Sequence, residues 1–168
     1  MLFGDYNPAG KLPVTFYKSS DQLPDYEDYS MKGRTYRYFN DALFPFGYGL
    51  SYSTFVINNA QCKMNNDGSG TLTVDVTNTG NRDGDEIVQL YIRDLQDKEG
   101  PLKSLRGFQR VSVKAGQTEK VTIQLTRKSF EFFDTETNTM RVKPGTYELL
   151  YGNSSADNGL KPLSVNVF

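Results

Sequence analysis

The chain has 168 residues, enough for one main domain with an appendage, because hydrophobic cores grow in units of about 100 to 150 residues. Its 19 basic and 20 acidic side chains are interspersed without a block of like charge, which removes the electrostatic basis for a nucleic-acid or anionic-membrane partner. With a single cysteine, Cys62, and no histidine, an intrachain disulfide and a Cys/His metal cluster are both excluded, and Cys62 is expected as a half-buried strand thiol.

At the N-terminus, MLFGDYNPAG lacks the basic and apolar regions of a signal peptide, and no later stretch approaches the roughly 18 apolar residues of a membrane-spanning helix. Met1 directly before Leu2-Phe3-Gly4 reads as an initiator set in front of a sequence that continues something longer. The first 50 residues hold one strand candidate, Leu12 to Phe16, followed by an aromatic stretch from Tyr26 to Tyr52 with neither helical nor strand period. Tyr26, Tyr29, Tyr36, Tyr38, Phe39, Phe44, Phe46, Tyr48 and Tyr52 are too much apolar surface for a solvated linker, since each packed ring buries about 150–250 Å². The sandwich can cover part of it. A strand with an unpaired edge belongs to a larger sheet, so the partner sheet of Leu12–Phe16 is expected outside this sequence, with disorder before about residue 30 or strand exchange between chains as the consequence.

From residue 51 onward the pattern is short β-type runs bounded by Gly, Asn, Asp or Pro. Phe55 to Lys63 is irregular. Thr71 to Thr77 sends Leu72, Val74 and Val76 to one face, and Asp85 to Leu95 sends Val88, Leu90 and Ile92 one way with Ile87, Gln89, Tyr91 and Arg93 the other. A second irregular run, Leu105 to Val113, precedes clean alternations at Val121, Ile123 and Leu125, at Tyr147, Leu149 and Tyr151, and at Leu163, Val165 and Val167. Turns fall at Asn78-Thr79-Gly80, Asp83-Gly84, Lys114-Ala115-Gly116 and Lys143-Pro144-Gly145. The count predicts an all-β, immunoglobulin/fibronectin type III-like sandwich of about seven strands over residues 51–168, preceded by an irregular aromatic-rich segment over residues 1–50.

Three groups of residues carry a family likeness. They are GDYNPAGKLPVTF over residues 4–16, then GRTYRYF over 33–39 with FPFGYGLSYSTF over 44–55, and lastly VTNTG over 76–80, GDEIVQLY over 84–91, LRGFQRV over 105–111 and KPGTY over 143–147. These resemble, in order, the closing strand of the second domain of family 3 glycoside hydrolases, the passage to the next domain, and that fibronectin type III-like domain itself. The sequence departs in a turn, where Ala115-Gly116-Gln117 stands for a Pro-Gly-Glu. The resemblance implies a C-terminal part of a retaining, exo-acting β-xylosidase or β-glucosidase, with the Gly33-to-Arg37 block leaning towards the xylosidases. It implies a carbohydrate-degrading parent that is periplasmic or secreted. Retaining hydrolysis needs two carboxyl groups about 5–5.5 Å apart, and the family draws both from regions that precede Gly4. No residue here matches either motif, so no catalytic residue, metal or cofactor is expected, and the chain alone is expected to be inactive.

The remaining chemistry is sparse. Asp83, Asp85 and Glu86 lack the ligand order of a calcium loop and fit a solvated turn; Asp21, Asp25, Glu27 and Asp28 fit surface charge; Ser154 and Ser155 have no histidine to activate them. The interdomain docking candidates are Arg34, Tyr36, Arg37, Tyr38, Phe46 and Tyr48, because guanidinium groups among rings suit stacking or carboxylate pairing at an interface. The expected partners are therefore the upstream catalytic domains of the same polypeptide. A second reading is a carbohydrate-binding accessory module for an oligo- or polysaccharide, marked by two coplanar exposed rings on one sheet face; a third is a free-standing β-sandwich interaction domain.

Overall fold

The computed structural model describes residues 3–168; Met1 and Leu2, on which the initiator reading rests, lie outside the described residues. Two antiparallel sheets face each other. One contains β1 (Phe55–Met64), β2 (Gly70–Asn78) and β5 (Thr118–Leu125) in the order β1-β2-β5. The other is built from β3 (Gly84–Asp94), β4 (Ser104–Val113), β8 (Gly145–Gly152) and β9 (Lys161–Val167), in the order β4-β3-β8-β9. A short hairpin, β6 (Phe132–Asp134) with β7 (Thr139–Arg141), is added at one end. This is the fibronectin type III-like sandwich that the alternation predicts.

Alternation decides the core. Leu72, Val74 and Val76 of β2, Val121, Ile123 and Leu125 of β5, and Val88, Leu90 and Ile92 of β3 are all buried between the sheets, each on the inward phase of its strand. Full burial of such a side chain stabilises the fold by about 1.5–3 kcal/mol. Phe130 and Phe132 close the end of the core on Tyr147, at ring separations of 5.3 and 6.1 Å.

The two irregular runs are irregular for a physical reason. In β1 the pairing with β2 slips between Asn58 and Gln61, where Asn59 takes the left-handed conformation at φ 54°, so one extra residue enters the strand. The core-facing set changes parity across it, from Phe55 and Ile57 to Ala60, Cys62 and Met64. In β4 a second shift opposite Leu90 and Tyr91 leaves Arg106 unpaired between Leu105 and Gly107. Cys62 is half-buried, with its thiol 3.7 Å from the Met64 sulfur, and burial pushes its pKa up.

Candidate functional site

The outward phase of β3 would normally meet solvent, yet Gln89 and Tyr91 are buried. The aromatic N-terminal segment covers them. Its single helical turn, α1 (Thr35–Tyr38), presents Tyr36, whose ring stacks on Phe46 at 4.5 Å and meets Tyr91 edge-on at 5.6 Å. The Tyr36 hydroxyl accepts the Leu105 amide at 3.1 Å. Gln89 donates to the carbonyls of Gly47 at 3.2 Å and Asn153 at 2.8 Å, and its own side-chain oxygen accepts the Tyr91 hydroxyl. Burial, together with Tyr36 nearby, raises the Tyr91 phenol far above the ordinary tyrosine range.

Polar pairs fasten the segment at both ends of that face. Lys11 lies 2.7 Å from Glu86, at side-chain exposures of 14% and 6%, and Glu86 also accepts the Ile87 amide and the Asn153 side chain. Asn7 bonds Ser53 and the Asp83 carbonyl and accepts the Tyr52 amide, all at 2.8–3.0 Å. At the far end the buried Lys103 pairs with Asp157, which also takes the side-chain amide of Asn40 at 3.3 Å. Phe46 accepts the Ser155 amide through its carbonyl at 2.8 Å. A buried charge without a partner is costly, so these contacts specify one seating of the segment on the sheet.

The six sequence-selected residues do not form one cluster. Tyr36 and Phe46 meet under the segment against Tyr91. Arg37 lies over the Tyr38 ring at 5.7 Å, and its charge, after burial, helps to lower the pKa of Arg106. Arg34 braces a separate turn through the carbonyls of Ser30 and Asp28. Tyr48 sits with Phe44 at 5.2 Å. Sequence reasoning did not single out Lys11, Gln89 or Asn153, and it read Glu86 as part of a solvated turn, whereas Glu86 is buried against Lys11; the one available signal was Gln89, a polar residue between Ile87 and Tyr91 on the outward phase of β3.

Leu12–Phe16 is not a regular strand, and its pairing differs from the expected open edge. It runs antiparallel to residues 43–48 of this chain, through hydrogen bonds from Leu12 to Tyr48, Gly47 to Leu12, Phe16 to Phe44 and Leu43 to Phe16. Pro13 and Pro45 interrupt the ladder, since neither supplies an amide donor. Beside it opens an apolar groove of about 890 Å³, lined among others by Leu12, Phe16, Phe44, Tyr48, Leu50 and Tyr52. Phe16, Phe44 and Leu50 are exposed there.

The acidic groups have local work. Asp83 accepts the Ala115 amide at 2.8 Å and Asp85 pairs with Arg110, while Glu86 belongs to Lys11. Asp25 and Asp28 accept amides two residues further on, which holds the Asp28 carboxyl below its usual range through its bond with Ser30. Among the described residues, no group of three His, Cys, Asp or Glu side chains is placed to hold a metal ion. Exposed rings on strands occur at Phe108 of β4 and Phe133 of β6, in different sheets.

Comparison with known proteins agrees with this architecture. Residues 1–52 match the Glycosyl hydrolase family 3 C-terminal domain, and residues 86–155 match the Fibronectin type III-like domain. The chain is 62% identical to a xylan 1,4-beta-xylosidase of Xylanibacter ruminicola over 99% of its length and 20% of that protein's. It is 36% identical to a periplasmic beta-glucosidase of Salmonella typhimurium, over 93% of this chain and 22% of the other. A beta-glucosidase of Streptomyces venezuelae in complex with D-glucose superposes with a TM-score of 0.87 at 31% identity, over 99% of this chain and 24% of that one. The chain thus spans about a fifth to a quarter of the length of these relatives. Its N-terminal segment and its sandwich match two successive parts of one architecture: the chain belongs to glycosyl hydrolase family 3, as a C-terminal portion that carries the fibronectin type III-like domain.

Proposed function

We propose that this chain is the non-catalytic C-terminal portion of a retaining, exo-acting β-xylosidase or β-glucosidase, and that it docks on the catalytic domains of the same polypeptide. In this reading residues 1–50 are the end of the preceding α/β domain and its connector, and residues 51–168 are the fibronectin type III-like domain. The observation that carries it is the groove of about 890 Å³ beside Leu12–Phe16, whose exposed Phe16, Phe44 and Leu50 have the character of an interface core. Tyr48 belongs to that groove, while Tyr36 and Phe46 act indirectly, by fixing the segment on the sandwich. Arg37 and Tyr38 complete the contact from a neighbouring turn, while Arg34 braces a separate turn through the carbonyls of Ser30 and Asp28. The xylosidase and glucosidase relatives favour that chemistry for the whole protein.

The test is hydrolysis of nitrophenyl β-xyloside and β-glucoside, first by this chain, then after mixing with the remaining four-fifths of the Xylanibacter ruminicola relative. No turnover alone and recovered turnover on mixing is the expected result, with recovery lost in Phe16→Asp or Phe44→Asp. Turnover by the chain alone would overturn the proposal.

A further inference from the structure

A second exposed aromatic feature lies apart from the groove. Between Asp25 and Arg34 the chain makes two tight turns, closed by hydrogen bonds from the Asp28 amide to the Asp25 carbonyl at 3.1 Å and from the Arg34 amide to the Met31 carbonyl at 3.0 Å. Asp25 and Asp28 accept the amides of Glu27 and Ser30, and the Arg34 guanidinium reaches back to the carbonyls of Ser30 and Asp28. This bracing holds Tyr26 and Tyr29 outward at 92% and 90% exposure, so both faces of each ring are open. The rings flank a cleft of about 640 Å³ whose other walls are Leu23, Pro24, Asp28 and Arg34.

We infer that this cleft is a sugar-binding site, in which Tyr26 and Tyr29 stack on the C–H faces of a neutral β-linked oligosaccharide while Asp28 and Arg34 bond its hydroxyls. The choice of ligand rests on the glycosidase reading above. Its chemistry follows from the residues. A ligand pocket combines apolar or aromatic walls with a few placed polar groups and has a volume of about 300–1,000 Å³, which this cleft satisfies. Asp28 is held ionised by its bond from Ser30, so it is an acceptor for hydroxyl protons, and Arg34 is a donor. Four carboxylates, Asp21, Asp25, Glu27 and Asp28, against Lys32 and Arg34 disfavour an anionic ligand. The same carboxylates set the site apart from a protein interface, whose core is depleted in Asp and Glu. Because the rings are presented on a braced loop, little ordering entropy is lost when a ligand arrives.

The rings touch little of the fold, so both can be truncated without unfolding the chain, and melting temperatures verify this. Xylohexaose and cellohexaose are titrated into this chain alone, and the ring signals of Tyr26 and Tyr29 are followed by nuclear magnetic resonance. Saturable shifts are expected at both rings, with the dissociation constant raised about tenfold or more in Tyr26→Ala and Tyr29→Ala, the loss typical of removing an aromatic anchor. Absence of saturable shifts, or equal affinity in the variants, overturns the inference. If the variants instead lose only the turnover recovered on mixing, the rings are docking residues and the sugar site is refuted. Turnover on mixing reads docking and the titration of the chain alone reads the sugar site, so either can fail while the other stands.

Discussion

Tyr91 and Tyr147 are the two tyrosines whose phenols are pushed up by burial, and both are enclosed by the fold, Tyr91 under Tyr36 and Tyr147 with its hydroxyl on the Lys143 carbonyl at 2.7 Å. Because the native state keeps these groups protonated, their contribution is complete below about pH 10, the unfolded value, and is lost as pH rises further. The urea midpoint should hold from pH 8 to about 10 and then fall, with a limiting slope of about 1.4 kcal/mol per pH unit for each phenol. Tyr91→Phe should flatten that fall, and tyrosinate absorbance should show the Tyr91 phenol ionising only with unfolding. Lys11 gives a complementary prediction. Lys11→Ala strands Glu86 in a buried position with only the Ile87 amide and the Asn153 side chain for company, at an expected cost of about 3 kcal/mol. Lys11→Met combined with Glu86→Gln should cost less than the single change. A double variant as unstable as the sum of its parts would show that the pair does not act as a unit.

The seven long strands were legible because burial follows strand periodicity: Leu72, Val74 and Val76 cannot all face water. The irregular look of β1 and β4 came from bulges at Asn59 and Arg106, which shift the phase by one residue and blur a period-two signal. The hairpin of β6 and β7 stayed illegible because it depends on tertiary charge pairing, with Asp134 buried between Arg141 and Lys143. For the candidate site, the sequence indicated that the rings from Tyr26 to Tyr52 need a cover. It did not indicate which rings find one, because Tyr36 and Phe46 are seated by residues of β3 and of the 153–155 turn, about 45 to 110 positions away in the chain. The pairing of Leu12–Phe16 on one side was missed for the same reason, its partner being the segment 43–48 beyond an irregular loop. The seating predicts a graded series. Tyr36→Ala removes a ring packed on two others and should cost about 2–3 kcal/mol in urea unfolding, whereas Tyr36→Phe loses only the bond from the Leu105 amide, about 1 kcal/mol. Equal losses would mean that the hydroxyl, not the ring, seats the segment.

At the scale of the molecule, the sandwich has satisfied its inner faces and most of its outer β3 face within 168 residues, while the groove beside Leu12–Phe16 stays apolar and open. Contiguous exposed apolar surface of this kind associates with whatever complementary surface is available. For a chain that spans about a fifth of the Xylanibacter ruminicola relative, the docking proposal makes the rest of such a protein the fitting surface; at high concentration without it, a second copy is the expected substitute. Sedimentation velocity over roughly 10 to 500 μM should therefore show reversible dimerisation of the chain, a weak association of the kind that a small apolar contact supports. Phe16→Ser with Phe44→Ser should leave it monomeric, at a small cost in stability because both rings are already exposed. Addition of the remaining four-fifths of the Xylanibacter ruminicola relative should replace the dimer by a one-to-one complex, since a single groove cannot hold two partners at once. Dimers that persist in the presence of that complex would place self-association on another face, such as the exposed edge of β4 with Phe108, and would remove the groove from the argument.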